Sequence, residues 1–237
     1  MGTIEFASMP TSPFAHPDPP DPAIFPRAGE PLEEVGAAQP ADAAAALAFA
    51  LERMTGADDP RPWLMATTPP WLRERGRPFA RGLAFGRFAP ERLIWVRAGT
   101  EAEALWALEE ALKSGAVAGG LACVERPAFV ATRRLEFAAR TGGALGVLLR
   151  AGPAGDLSAA RRRWRIASAL SGPAAFDAAA PGHTRIRAEL VRRRDGPPGV
   201  WELEQDDETG RFAVVAGLAD HGLDAAGPPA HRRGAAA

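Results

Sequence analysis

The chain is short of several residue types, and each shortage excludes a class of protein. It has one cysteine, Cys123, so neither a disulfide framework nor a cysteine-built zinc site is available. It has no tyrosine, and Lys113 is its single lysine, so nearly all of its basic charge is arginine. The four histidines, His16, His183, His221 and His231, lie far apart and form no HExxH or carboxylate–histidine cluster. No apolar run reaches the roughly 18–20 residues that a membrane span needs. Glu5 precedes any basic residue and no apolar h-region follows it, so the N-terminus does not read as a signal peptide. The expected compartment is the reducing cytoplasm, with no membrane partner. Charge of one sign is not in excess either. With 28 basic against 29 acidic residues in 237, the chain is not a polycation built to coat nucleic acid.

Catalytic patterns are equally scarce. There is no GxSxG, and Cys123 sits within an apolar run, where a buried, inert thiol is the expected state. No GxxxxGK[ST] loop occurs anywhere. The turn before the first core helix, "EEVGAAQPAD", has Gly36 but no lysine, and Pro40 removes one of the amides a phosphate loop uses. The acid pairs Glu109/Glu110 and Asp206/Asp207 read as helix-surface and turn residues. No cofactor or metal is expected.

What the chain has in quantity is proline, glycine and alanine. Residues 1–31 are dominated by proline, which removes backbone donors and fixes φ, so an unstructured arm is expected there in preference to a docking peptide around Phe25. The segment 220–237 is expected to be an unstructured tail, leaving 32–219 as one domain. Inside it, "ADAAAALAFALERMTG" reads as a helix with Asp42 at its start, and "PWLMATT" as a strand. "PPWLRERGRP" reads as a loop, with a helix from Pro78 to Phe85 after it. "RLIWVRA" then reads as a strand, and "TEAEALWALEEALKSG" as an amphipathic helix with Thr100 and Glu103 at capping-box spacing. "AVAGGLACVE" and "ALGVLLRA" are apolar strands on either side of a helix over Ala131–Thr141. Strands that alternate with helices and are apolar throughout predict a parallel sheet covered on both faces. From residue 163 to 218 the pattern becomes β-rich, with "DGPPG" and "DETG" as hairpin-type connectors. The predicted class is α/β: a mostly parallel sheet flanked by helices, ending in antiparallel strands.

Charge is unevenly placed. Residues 161–194 hold nine arginines against Asp177 and Glu189, a net of +7, whereas 200–211 hold five acids against Arg211, a net of −4. Arg161, Arg162, Arg163, Trp164 and Arg165, with Arg192, Arg193 and Arg194, combine guanidinium groups with an indole. They are therefore candidates for phosphate contact and base stacking. The competing reading sends these arginines to a solvated face, some paired with the acidic hairpin. Trp71, in its Pro-flanked segment, is the candidate anchor for a protein partner.

The segment "LAFGRFAPERLIWVRAGTEAEALWALEEALKSGAVAGGLACVE" resembles the core of RecA, with its strand, helix, "SGAV" and Walker B strand in that order. The segment "RRRWRIASALSGPAAFDAAAPGHTRIRAELVRRRDGPPGVWELEQDDETGRF" resembles the C-terminal part of the ImuA family. The resemblance spans roughly residues 30–217. ImuA proteins are RecA/SulA-like accessory factors encoded beside ImuB and an error-prone polymerase. The resemblance implies a RecA-like fold with Glu125 at the degenerate Walker B position. It puts the Walker A position at Gly36–Asp42 without its lysine, and Pro69 and Pro70 where RecA has its catalytic glutamate. It therefore implies a non-catalytic adaptor in SOS-induced translesion synthesis. The implied partners are an ImuB-like Y-family polymerase homologue, RecA and an error-prone replicative-type DNA polymerase. The alternatives are direct binding of single-stranded DNA and SulA-like inhibition of cell division.

Overall fold

The central strand is the one least visible in the sequence. β1, Leu32–Ala37, reads LEEVGA, and all six residues are buried although two are adjacent glutamates. The computed structural model describes residues 25–54, 59–85, 89–152, 157–174, 176–177, 179–194, 196–206 and 208–215. The expected tail 220–237, the arm up to residue 24, and His16, His221 and His231 lie outside the described residues.

After β1, a 3₁₀ turn over Pro40–Asp42 leads into α1, Ala43–Met54. β2 (Trp63–Thr67), α2 (Pro69–Arg75), α3 (Ala80–Phe85) and β3 (Leu93–Arg97) follow. The chain then runs through α4 (Glu101–Ser114), β4 (Gly119–Val124), α5 (Phe129–Gly142) and β5 (Leu145–Arg150). It ends in β6 (Arg162–Ala169), β7 (Arg185–Arg193), β8 (Gly199–Gln205) and β9 (Phe212–Val214). The nine strands form one sheet in the order β3-β2-β4-β5-β1-β6-β7-β8-β9. β1 to β6 pair in parallel, and β6 to β9 pair antiparallel. This is the predicted architecture.

Alternation along the strands divides the core in two. Val35, Met65, Leu121, Val147, Trp164, Ile166, Leu190, Trp201 and Leu203 face α1, with Trp71 of α2 and Leu83 of α3 joining that layer. Leu32, Leu64, Ala122 and Leu148 face α4 and α5 on the other side. Helix ends follow local chemistry. Thr100 Oγ1 accepts the Glu103 amide at the start of α4, and Gly115 closes that helix at φ 69°, a left-handed conformation that favours glycine. Close approach requires Gly142: a Cβ there would lie 1.8 Å from the Leu112 carbonyl oxygen, where α5 meets α4.

Two local readings are corrected. "PPWLRERGRP" is not all loop, because Thr68 caps α2 and Pro69 and Pro70 occupy its first turn. Proline is tolerated there because first-turn amides have no intrahelical acceptor. Phe25 is packed on the domain: its ring lies 5.8 Å from Trp164 and 5.4 Å from Trp201, on the face that α1 covers.

Candidate functional site

In an open α/β sheet, ligands bind outside the carboxyl ends of the strands, where neighbouring connections leave to opposite faces. Here that point lies between β1 and β5. The chain leaves β1 toward α1 on one face. After β5 it returns along α5 on the other, where Ala159 N–H donates to Thr132 Oγ1 and Arg161 approaches Glu136.

The loop after β1 closes on itself at this point. By the GxxxxGK[ST] spacing from Gly36, Ala41 takes the second glycine position, Asp42 the lysine and Ala43 the hydroxyl. Asp42 is buried. Its Oδ1 accepts the Ser168 amide at 2.9 Å and its Oδ2 the Gln39 amide at 3.3 Å. The Ala38 amide is taken by the Ile166 carbonyl at 2.7 Å, and the Asp42 amide by the Gln39 carbonyl at 2.9 Å. Pro40 has no amide proton, and its carbonyl receives Arg75 Nη1 at 2.9 Å. The Ala38, Gln39 and Asp42 amides are thus spent internally, and a carboxylate stands where the attracting cation would be. Cavities of 360, 210 and 630 Å³ lie elsewhere; none is lined by residues 36–42.

Glu125 sits just past β4, exposed, and its amide donates to Glu101 Oε2 at 2.9 Å. β5 separates its strand from β1. Cys123 is buried, and desolvation pushes its thiol pKa up, away from thiolate chemistry. Among the described residues no group of three or more His, Cys, Asp or Glu could hold a metal.

The arginine run has a different fate from the one its composition indicates. In the β1–β6 register, Glu33 lies opposite Arg162 and Glu34 opposite Arg163. On the α1 face, Glu33 takes a two-pronged contact from Arg53, Nε to Oε2 at 2.9 Å and Nη2 to Oε1 at 2.7 Å. Trp164 Nε1 donates to the same carboxylate at 3.0 Å, and Arg162 Nη1 approaches it at 3.5 Å. On the opposite face, Glu34 Oε1 accepts from Arg150 at 3.0 Å and from Arg163 at 3.2 Å. Both glutamates are fully buried, and Trp164 is 1% exposed. Arg53 and Arg162 also donate to the carbonyls of Pro26 and Arg27, each at 2.6 Å, which holds the segment after Phe25 against the domain.

Arg162, Arg163 and Trp164, singled out above for nucleic-acid contact, are therefore interior residues; the buried indole has no face open to a base. Arg161 is turned toward Glu30 and Glu136, at 3.7 and 3.4 Å. Arg165 is exposed and pairs with Glu189 of β7 at 3.1 Å. Arg192 and Arg194 are exposed and Arg193 half-buried near the end of β7. Trp71, the candidate partner anchor, is 8% exposed and belongs to the α1-side core. The sequence did carry a signal for the network: paired acids on one strand, "EE", answer paired bases on another, "RR". It is legible only once β1 is recognised as a strand beside β6.

The class of protein this defines is a doubly wound α/β domain with an antiparallel extension. Its phosphate-loop position is filled by its own carboxylate. No protein-family model matches the chain. Protein ImuA of Caulobacter vibrioides is 38% identical to it over 236 residues, spanning 92% of this chain and 94% of that protein, in strain NA1000/CB15N. The same values hold for strain ATCC 19089/CIP 103742/CB 15. The chain belongs to the ImuA family. The crystal structure of SulA from Pseudomonas aeruginosa also matches, at 24% identity and a TM-score of 0.38, across 51% of this chain and 97% of that one. Among the described residues no helix is long and apolar enough to cross a membrane.

Proposed function

We propose that this chain is a non-catalytic adaptor of an SOS-induced, error-prone translesion synthesis complex. In this reading it contacts an ImuB-like Y-family polymerase homologue, RecA and an error-prone replicative-type DNA polymerase. Membership of the ImuA family supports the DNA-damage setting. The observation that carries the non-catalytic half is Asp42, a buried carboxylate at the lysine position whose oxygens accept the Ser168 and Gln39 amides. Bringing a nucleotide triphosphate there sets like charges against each other and breaks two hydrogen bonds. The test is affinity capture of the three partners from damaged cells by wild type and Glu125→Gln, with ATP turnover measured on both. Equal capture and no turnover are expected. Loss of capture by a folded Glu125→Gln chain, or ATP hydrolysis by the wild type, overturns the proposal.

A second reading, direct contact with single-stranded DNA, keeps support from the exposed Arg187, Arg192 and Arg194. It requires binding that falls steeply with salt and weakens when these three are replaced together.

A further inference from the structure

Among the described residues, five of the ten exposed large apolar side chains project from one side of the molecule: Trp106 on α4, Phe129, Val130 and Phe137 on α5, and Leu157 in the connector that follows α5's course. Trp106 is 59% exposed, and Val130 and Phe137 are each 68% exposed. Large aromatic and branched side chains held in water at this density mark an interaction surface. α4 and α5 run parallel, since each carries the chain from the end of one parallel strand to the start of the next. A 2.7 Å bridge between Glu109 and Arg134 ties them side by side.

Helical spacing arranges the outward faces. Glu103, Trp106, Glu110 and Lys113 lie along one stripe of α4, at i, i+3, i+7 and i+10. Val130, Arg133, Phe137 and Arg140 lie along one stripe of α5, at i, i+3, i+7 and i+10. Trp106 stands between two glutamates on α4 and Phe137 between two arginines on α5; Glu103 also accepts the Gly99 amide at 2.8 Å and Glu110 lies 3.8 Å from Lys113, so the α4 stripe keeps a net acidic charge and the α5 stripe a basic one. Arg133 has no acidic partner among the described residues, and Arg140 contacts only its own helix neighbour Glu136.

We infer that this face binds a second copy of the chain. A two-fold axis parallel to the helices, midway between them, stacks α4 of each copy on α5 of the other. The apolar anchors of one copy then meet those of the other, and the glutamates meet the arginines. Isologous interfaces require a surface complementary to itself in both shape and charge, and side-by-side stripes of opposite sign meet the charge requirement. Two 14-residue helices are each about 21 Å long at a rise of 1.5 Å per residue. Their combined area falls at the small end of specific interfaces, so the dimer dissociates at roughly micromolar concentration. This inference does not depend on the adaptor reading.

Sedimentation equilibrium of the full chain between about 1 and 100 µM tests it. A rise from the mass of one chain to that of two is expected, with Phe137→Glu monomeric at every concentration and unchanged in circular dichroism. Glu103→Arg/Glu110→Arg and Arg133→Glu/Arg140→Glu are each expected to be monomeric alone and to form a dimer when mixed, because both stacked pairs in the mixture become complementary. A monomeric wild type overturns the proposal. So does a dimer indifferent to Phe137→Glu, which places the contact elsewhere. If the wild type is monomeric and Phe137→Glu abolishes partner capture, the face belongs to a different protein, and the adaptor reading stands while the second copy falls.

Discussion

Two arginine-rich strands lie side by side in this sheet, and their side chains have opposite fates. On β6, Arg162 and Arg163 are buried against Glu33 and Glu34 of the central strand. On β7, Arg185 and Arg187 stand on a face that α4 and α5 do not reach, beside Glu204 and Glu202 of β8 in register. Composition alone does not separate the two runs. The neighbouring strand does: β6 lies against an interior strand whose only polar side chains are carboxylates, whereas β7 lies in an antiparallel ribbon covered on one face. Burying a charge requires a partner and hydrogen bonds at the same place. On the open face, water already solvates the charges, so cross-strand pairs there add little. The arginines of the +7 segment are thus answered partly by Glu33 and Glu34 of β1 and partly by Glu189 and Glu204 across β6, β7 and β8.

The contrast can be broken by substitution. Glu33→Ala is expected to have the largest effect, a loss of about 3–5 kcal/mol in denaturant unfolding, because it takes the buried carboxylate away from the Arg53 guanidinium and the Trp164 indole N–H. A loss below about 1 kcal/mol would mean that water reaches the network and that the two strands do not differ in kind. Phe25→Ala is expected to cost about 1–3 kcal/mol, since a half-buried ring against two tryptophans loses both apolar area and aromatic contact. Unchanged unfolding of that variant would detach the segment before β1 from the domain. Arg165→Ala is expected to cost at most about 1 kcal/mol, and less at high salt, because its partner Glu189 is solvent-accessible. A larger, salt-independent loss would show the open face to be covered after all.

Much of the fold was legible. Alternating strands and helices, the Thr100 cap, the Gly115 stop and the switch to hairpin connectors near residue 163 are local signals, and each corresponds to an element of the structure. β1 was not legible, because two adjacent glutamates argue against a buried strand unless their arginine partners, Arg53 on α1 and Arg150, Arg162 and Arg163 more than a hundred residues away, are known. α2 was hidden by Pro69 and Pro70, which break helices everywhere except in the first turn. The candidate site was legible in part. The missing lysine could be read directly, but the role of Asp42 in tying the loop to Ser168 could not, because that bond joins neighbouring strand ends that are far apart in the sequence.

The sequence by itself determined the class of sheet, the order of its elements, the absence of a standard phosphate loop and the likeness to the ImuA family. Periodicity, caps and motif spacing act over a few residues, so they survive without coordinates. Only the tertiary structure decided which arginines meet water, that Trp71 and Trp164 are core residues, and that Asp42 closes the loop beside β6. Whether a charge is solvated, paired or buried depends on which distant strand is placed beside it, and that is a property of the assembled sheet.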